Sequence, residues 1–506
     1  MGAPTKLADF FNILVGHPMY RRNISHILSS LGIALVLFVV YHAWFKPIYL
    51  PSSEPTPSPP PTTTDKAESE SPLSRTSIEQ DQARELRRQM RLLAPGVPPP
   101  DNRYADILRD AQEELEKHQA RGAQAKLMEL PPKALAEAKV AHYTAVLWNN
   151  LGVEHERTND TKAASQAYAK AVSLEPTNRV ALLNLAHTYW AQRDPQLTPD
   201  FLERIIVLAP DEPFPHLALA DLLQEQDRLA DAAQHLELAA DRAQQDPNLR
   251  SYLQAVTAKV KRTVQVEQQF TAQSSAHFTV KWDGEEDQTT WMAVSDILED
   301  AYRDIGQRLG YFPQKPIVVV LHTKATFQGA TGSPAWADGL FDPVLGRIQI
   351  PTQGALTDRT WLTRVVRHEF VHALLHERLG LEAGGLPTWL NEGLAMHLAG
   401  DSWPDLDHVL SGVAAGEIKL IPLNMLEGGW GRFPGELALV AYVEGHSATG
   451  YLIDRFGMEK VRDLLTALKS RQHISGAIED RLYLPYDQFQ RQWVDSINTR
   501  LGKAKG

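Results

Sequence analysis

A pattern of apolar and small residues that recurs every 34 positions constrains the fold of this chain more than any other feature. A unit of this length accommodates two helices, and neither buries its apolar face until another unit stacks against it. Three consecutive units follow the pattern, so we expect an all-α solenoid. The matching residues are Trp148, Leu151, Gly152, Ala164, Tyr168, Ala171 and Pro176, then Leu182, Leu185, Ala186, Tyr189, Leu202, Ile205 and Pro210, then Leu219, Ala220, Leu223, Ala232, Leu236 and Ala239.

The first unit resembles the tetratricopeptide repeat, with His155 at a position where that family has an aromatic residue. Helical periodicity begins earlier, so the helical and repeat region is expected to span 78–250, with a connecting helix at 251–274. The resemblance implies a concave groove that binds protein segments, and a protein partner or substrate recruited there is one interpretation. A role in spacing and packing alone is the other, because one sequence does not identify groove residues.

Residues 27–45 form a run of nineteen mostly apolar positions. A helix needs about 20 such residues to cross the hydrocarbon core of a bilayer, so we expect a single transmembrane anchor here. Lys6, Arg21 and Arg22 precede the run, which favours a cytoplasmic segment at 1–26 and places the bulk of the chain on the outer, periplasmic or extracytoplasmic side. A cleaved signal peptide is the alternative, but the preceding flank is long and no A-x-A-like site follows.

A proline-rich stretch follows this run, and residues 46–77 are expected to form a disordered linker. Its prolines lack backbone donors and its small polar residues have little to bury. The same stretch argues against a buried core helix at 27–45, because no core would surround that helix.

Composition narrows the possible functions. The chain has 506 residues, more than a single core usually organises, so at least two folded units are expected. The net charge of -11, without a stripe of lysine and arginine, argues against nucleic-acid binding. Because the sequence contains no cysteine, any metal must be bound by histidine, aspartate or glutamate.

In the last part of the chain, short β-type runs appear where the earlier sequence has helical periodicity alone. Residues 275–506 are therefore expected to form one α+β domain. Short β-type runs at 277–282, 316–322 and 346–351 predict a small sheet that precedes a helical half. A long helix is predicted after the sheet, with Asp358 as its N-cap and Gly380 just past its C-terminus.

This helix contains the sequence HEFVH. His368 and His372 are four residues apart, so both imidazoles project from one helix face and can bind one zinc ion, while Glu369 lies beside them to activate a water. The alternative is a chance occurrence on a solvated helix face. His376 also lies on this face, but eight residues correspond to about 12 Å of rise, which favours a structural or supporting role.

The segment WLNEGLA at 389–395 follows, and with HEFVH it resembles the gluzincin metallopeptidases. The resemblance extends over 277–470, is closest to the peptidase MA-like domains that accompany tetratricopeptide repeats, and implies that Glu392 is the third zinc ligand. Nineteen residues separate His372 from Glu392, one more than in the gluzincin aminopeptidases. The Gly-x-Met-Glu-Asn motif of those aminopeptidases is absent, which favours an endopeptidase, and Leu375 and Arg378 occupy positions that exclude a metzincin.

Further site residues are expected around this motif. Tyr442 and His446 are spaced i and i+4 on a predicted helix, and the resemblance favours a Tyr or His of this region as the oxyanion donor, the alternative being a packed tyrosine and a surface histidine. The strand at 347–350 resembles the edge strand on which such peptidases bind an extended substrate. Trp336 and Gly339 are candidates to border the cleft, or else a core aromatic and a turn glycine.

The sequence therefore predicts a multidomain protein with one N-terminal transmembrane helix, an all-α tetratricopeptide-like solenoid and an α+β gluzincin-like, thermolysin-like metallopeptidase domain. The expected function is membrane-anchored hydrolysis of peptide bonds, with one catalytic Zn²⁺ and Glu369 as general base. The competing hypothesis is a protein-binding tetratricopeptide scaffold whose metal domain is structural or inactive.

Overall fold

The computed structural model describes residues 96–283, 288–331, 338–351, 358–400, 409, 412, 418–430, 433 and 435–504. The expected cytoplasmic segment at 1–26, the transmembrane anchor at 27–45 and the linker at 46–77 lie outside these residues, as do Trp336 and the first part of the expected helical region, 78–95. Within the described residues, no helix has the length and apolarity needed to cross a membrane.

The N-terminal half of the described chain is a stack of helices, which we call the repeat array. Each of the first four helix pairs packs as a hairpin, and a longer helix follows. The helices are α1 (Ala105–Glu116) and α2 (Ala120–Met128), α3 (Ala138–Arg157) and α4 (Thr161–Leu174), α5 (Arg179–Gln192) and α6 (Pro199–Leu208), α7 (Pro213–Glu225) and α8 (Leu229–Arg242), and α9 (Pro247–Glu267).

The 34-residue pattern accounts for the packing of these helices. Apolar positions that recur with the pattern, such as Leu151, Leu185 and Leu219, are all buried. Gly152 is required by close approach, because a Cβ there would lie 2.4 Å from the ring of Tyr168. Hydrogen-bonding side chains begin several helices at their N-caps, as expected from the orphan backbone N–H groups at helix starts. These caps are Asp160, Asn178, Thr198 and Asp246.

The backbone repeats as well as the side chains. The turn after α3, α5 and α7 contains a residue with a left-handed backbone, and these residues are 34 positions apart: Asn159 (φ 59°), Arg193 (φ 51°) and Asp227 (φ 59°). Asparagine and aspartate tolerate this region better than other residues with a side chain, whereas arginine rarely adopts it. An equivalent turn follows α1, at His118 (φ 58°).

The connecting helix is shorter than predicted. It was expected at 251–274, but α9 ends at Glu267 and strand β1 (Phe270–Ser274) follows. β1 pairs antiparallel with β2 (Phe278–Asp283). The backbone N–H and C=O groups of β1 that face β2 therefore form hydrogen bonds within the sheet instead of within a helix. Four of its five side chains are exposed, so the segment carries no alternating apolar signal that identifies a strand.

A five-stranded mixed sheet begins the C-terminal domain, in the order β1-β2-β3-β5-β4. The inner strands β2, β3 (Ile317–His322) and β5 (Arg347–Pro351) are parallel neighbours. Helix α10 (Gln288–Leu309) provides the crossover from β2 to β3, and α11 (Lys324–Thr331) follows β3. The predicted strands are thus confirmed, while β1 and the short β4 (Leu340–Asp342) were not foreseen.

The segment at 347–350 is not an edge strand, contrary to the prediction. β4 pairs antiparallel with β5, so β4 is the edge and β5 is an interior strand with four of its residues buried. β4 has only three residues, too few to show an alternating pattern in the sequence.

The helical half follows the sheet and packs with it around one core. Its helices are α12 (Arg359–Leu379), α13 (Thr388–Ala399), α14 (Gly435–Lys469), α15 (Ile474–Leu482) and α16 (Tyr486–Ala504). α14 contains a kink at Gly457, whose φ of 83° and ψ of 160° are not helical. Helix α12 lies between the sheet and the helical half, since it contacts β4, β5, α10, α13 and α14.

Candidate metal centre

Helix α12 presents the HEFVH residues at the centre of the C-terminal domain. The helix begins as predicted, because the Asp358 carboxylate accepts a hydrogen bond from the backbone N–H of Trp361 at 2.9 Å. It ends at Gly380, whose φ of 63° favours glycine. Between these ends, the imidazole rings of His368 and His372 lie side by side with their centroids 4.9 Å apart.

Three side chains form a compact triangle of donor atoms. The Nε2 atoms of His368 and His372 are 3.2 Å apart, and Glu392 Oε2 lies 3.6 Å from the first and 3.7 Å from the second. Around a tetrahedral zinc with ligands at about 2.1 Å, donor atoms are separated by about 3.4 Å. The triangle therefore has the size and the ligand chemistry of a zinc site, and among the described residues it is the only such group of three.

Glu392 reaches this triangle because α13 is fixed between two neighbouring elements. The backbone N–H of Thr388, at the start of α13, donates to the carbonyl of Glu427 at 3.0 Å. Gly393 lies directly against α14, since a Cβ there would be 2.4 Å from the carbonyl oxygen of Gly445. The sequence signal for this contact is the glycine that directly follows Glu392 in WLNEGLA.

The charges of the triangle stabilise one another. Burial disfavours the carboxylate of Glu392, but His372 and His368 stabilise it more strongly, so the pKa of Glu392 lies well below its usual range. Burial likewise disfavours a charged imidazole at His372, yet the pKa of His372 is raised by Glu392. The site is thus organised for a positive charge next to Glu392.

Asn391 supports one of the imidazoles and was not foreseen. Its side-chain oxygen lies 3.1 Å from Nδ1 of His372. When Nδ1 donates this hydrogen bond, Nε2 is the unprotonated nitrogen and is directed at the donor triangle. Only the position of Asn391 beside Glu392 signals this role in the sequence.

Glu369 is buried between α12 and the edge strand β4. Its Oε2 accepts a hydrogen bond from the backbone N–H of Phe341 at 2.7 Å. Burial raises the pKa of Glu369, and the nearby His368 and His372 offset only part of that effect. Gly339 borders the same carboxylate, because a Cβ there would lie 3.3 Å from Oε1 of Glu369, and its place at the edge of a cleft stays a prediction.

Helix α14 places Tyr442 and His446 in different surroundings. The pKa of the Tyr442 hydroxyl is raised by burial and by the negative charges of Glu392 and Glu369, so this hydroxyl lies near both carboxylates. Its ring meets that of Trp430 edge to face, with centroids 5.0 Å apart. His446 lies one helical turn further along, with its ring 6.0 Å from that of His397.

His376 lies outside the donor triangle, and its structural or supporting role stays a prediction. Its Nε2 lies 2.5 Å from Nη2 of Arg193, in the turn after α5. The sequence did not signal this contact, which joins residues 183 positions apart.

Comparisons with known proteins agree with the predicted organisation. A family model described as Peptidase MA superfamily matches residues 298–499, which include α12, α13 and α14. A model described as Tetratricopeptide repeat matches residues 145–178, which include most of α3 and all of α4. No match was found among curated proteins. The chain therefore contains a Peptidase MA superfamily domain, preceded by a tetratricopeptide repeat region.

Proposed function

We propose that this chain is a zinc-dependent peptidase, with His368, His372 and Glu392 as metal ligands and Glu369 as general base. The observation that carries the proposal is the donor triangle, whose edges of 3.2, 3.6 and 3.7 Å suit tetrahedral zinc. The Peptidase MA superfamily match supports it, because members of that superfamily generally bind zinc.

Zinc bound at the triangle would supply an activated water and a positive charge beside the scissile carbonyl. Glu369 precedes the second ligand on the same helix, and its raised pKa suits a group that takes up a proton and releases it again. Its carboxylate accepts a proton from the attacking water, and the resulting carboxylic acid donates that proton to the leaving amine. Asn391 holds His372 in the tautomer that this arrangement needs.

Tyr442 is the better placed of the two candidates for oxyanion donor. Its hydroxyl stays protonated across the whole working range of pH, because burial and two nearby carboxylates raise its pKa. A neutral phenol donates a hydrogen bond to developing negative charge on the carbonyl oxygen. His446, next to His397, is the alternative donor.

The edge strand β4 suits an extended peptide as substrate. β4 pairs with β5 on one side, and Phe341, its central residue, directs its N–H to the candidate base. A peptide that adds to this edge would present its main chain to Glu369. Together with the missing amine-binding motif, this geometry favours an endopeptidase.

The test is a metal and activity assay on the purified full chain. We expect one zinc per chain and hydrolysis of an unstructured protein substrate, with activity lost in Glu369→Gln while zinc stays bound. Glu459→Gln changes an exposed glutamate on α14 and is the matched control, with activity expected to persist. A zinc-free, inactive wild-type protein would overturn the proposal, and a zinc-bound but inactive one would favour the scaffold function.

We also propose that residues 27–45 anchor the protein with the peptidase on the outer side of the membrane. The apolar length of that run and the preceding basic residues support the proposal. Protease added to intact spheroplasts should degrade the C-terminal domain. Protection of that domain until the membrane is lysed would reverse the orientation.

The repeat array is proposed to recruit a protein substrate or partner. The support is the match to a tetratricopeptide repeat, a module suited to extended concave binding surfaces. A catalytically inactive Glu369→Gln chain should retain cross-linked substrate through the array. The same chain without its repeats serves as the comparison only if it remains folded.

A further inference from the structure

One turn of the repeat array contacts the helix that carries the metal ligands. Arg193, in the turn after α5, donates from Nη1 to Glu225 at 2.9 Å and to Glu377 of α12 at 2.7 Å. Its Nη2 donates to Nε2 of His376, at 2.5 Å. The guanidinium therefore forms hydrogen bonds with two consecutive residues of α12, one helical turn beyond His372.

The contact with His376 continues towards the base. A guanidinium only donates, so Nε2 of His376 must be the acceptor and the imidazole is neutral. The ring of His376 packs against that of Phe341, with centroids 5.2 Å apart. The backbone N–H of Phe341 in turn donates to Glu369 at 2.7 Å. Direct contacts thus connect Arg193 to the carboxylate of Glu369.

Further contacts hold the repeat array against the C-terminal domain. Asp227, one repeat after Arg193, accepts from Arg347 of β5 at 2.9 Å and from Lys281 of β2 at 3.0 Å. Arg347 has no exposed side-chain surface and also donates to Glu267, at the end of α9. Gly380 approaches the end of α5 so closely that a Cβ would lie 2.8 Å from the carbonyl oxygen of Ala191. Arg193 is therefore presented to α12 by a fixed neighbour.

We propose that Arg193 is a positioning residue for Glu369, acting through His376 and Phe341. The repeat array then forms part of the catalytic architecture in addition to any role in recruitment. Because β4 is short and pairs on one side only, the ring of Phe341 needs support from His376 to keep its N–H directed at the base. This inference rests on the proposed function of Glu369.

Arg193→Ala should lower kcat about tenfold, which corresponds to about 1.4 kcal/mol, with little change in KM and no loss of zinc. The matched control is Arg179→Ala, because Arg179 forms its ion pairs with Asp211 and Glu212 inside the array. Its kcat should stay at the wild-type value. Equal kcat values in the two variants would overturn the inference.

Hydrogen exchange provides a readout that does not depend on activity. The amide of Phe341 should exchange faster in Arg193→Ala than in wild type or in Arg179→Ala, and Glu369→Ala, which removes the acceptor, gives the reference rate without that hydrogen bond. Unchanged exchange in Arg193→Ala would contradict the positioning role. If the wild-type protein has no peptidase activity but the amide of Phe341 still exchanges faster in Arg193→Ala than in wild type, the proposed function is refuted and the positioning of Glu369 by Arg193 stands.

Arg193→Lys covers the case in which Arg193→Ala does not fold. Lysine keeps the charge but lacks the planar fork that donates to Glu377 and His376 at once. An exchange rate and a kcat between those of wild type and of the Glu369→Ala limit support the inference. Wild-type values for both would contradict it.

Discussion

The Nδ1 atom of His372 lies 3.1 Å from the side-chain oxygen of Asn391, and Glu392, whose carboxylate faces Nε2 of the same imidazole, is the next residue in the chain. Helix α13 therefore contacts both nitrogens of one ring. When Nδ1 donates to Asn391, the imidazole has one tautomer and one orientation, so Asn391 and Glu392 both constrain the ring of His372.

Asn391→Ala should lower zinc affinity about 10- to 100-fold, because His372 loses the acceptor that orients its ring. The measurement is competition with a chelator of known affinity. Asn391→Asp keeps an oxygen acceptor at this position and should retain zinc better than the alanine variant. Equal zinc affinity in wild type and Asn391→Ala would show that the hydrogen bond does not orient the ligand.

Tyr442→Phe should lower kcat about 100-fold and leave KM and zinc content nearly unchanged, because the hydroxyl acts on charge that develops only in the transition state. Tyr451→Phe is the matched control. It removes a hydroxyl on the same helix that donates to Gln492 at 3.2 Å, away from the metal centre. If His446→Ala lowers kcat while Tyr442→Phe does not, His446 is the donor.

Gly393→Ala should destabilise the fold and weaken zinc binding. A Cβ at this position would lie 2.4 Å from the carbonyl oxygen of Gly445, which cannot move aside as a flexible side chain can. Overpacking of this kind costs about 1–3 kcal/mol and would push α13, with Glu392, away from the triangle. The measurements are thermal unfolding and zinc stoichiometry.

Gly450→Ala provides the control for that substitution, because a Cβ there would meet only Nδ1 of His397, at 4.0 Å. It should fold and bind zinc like the wild type. If both alanine variants behave alike, the close approach of α13 to α14 does not hold Glu392.

The free energy of unfolding of the wild type should fall as the pH rises, and Glu444→Gln should reduce this fall. Glu444 is fully buried on α14, and burial raises its pKa from 4.5 to about 8, although the backbone N–H of Ile421 donates to it. The folded state therefore holds a proton that the unfolded state releases above about pH 4.5. The stabilisation is complete below that pH and is lost as the pH rises towards 8.

The measurement is the free energy of unfolding of wild type and Glu444→Gln between pH 5 and 8. The stability of the variant relative to wild type should rise by at most about 1.4 kcal/mol per pH unit. Glu459→Gln removes one charge at an exposed site of the same helix and should show no such trend. A constant difference for Glu444→Gln would mean that Glu444 is ionised in the folded protein.

Local periodicity made several elements predictable. The spacing of His368 and His372 needs only the helical period, and the cap at Asp358 needs only the backbone N–H groups at a helix start. The 34-residue pattern located the repeat helices for a similar reason, since each apolar position reports on packing against the adjacent unit. Glu392 depended on the resemblance to gluzincins, because the loop before α13 has no period.

Such patterns did not predict which strand forms the edge of the sheet or which charged side chains contact each other. The interior position of β5 depends on β4, a strand of three residues. Arg347 lies on a strand predicted to be an edge. Its side chain is nevertheless completely buried and forms ion pairs with carboxylates of the repeat array. An isolated arginine in a sequence usually indicates solvent, so its burial follows only from the partners that surround it.

The sequence by itself determined the helices, the repeat and the three residues of HEFVH, because hydrogen bonds and side-chain periodicity act between near neighbours in the chain. The tertiary structure alone decided that Tyr442 approaches Glu392 while His446 approaches His397, and that Arg193 contacts His376 across 183 positions. Contacts of this kind depend on how elements that are distant in the sequence pack together. That packing depends on the complementary shapes of the two elements in contact, which involve many side chains at once.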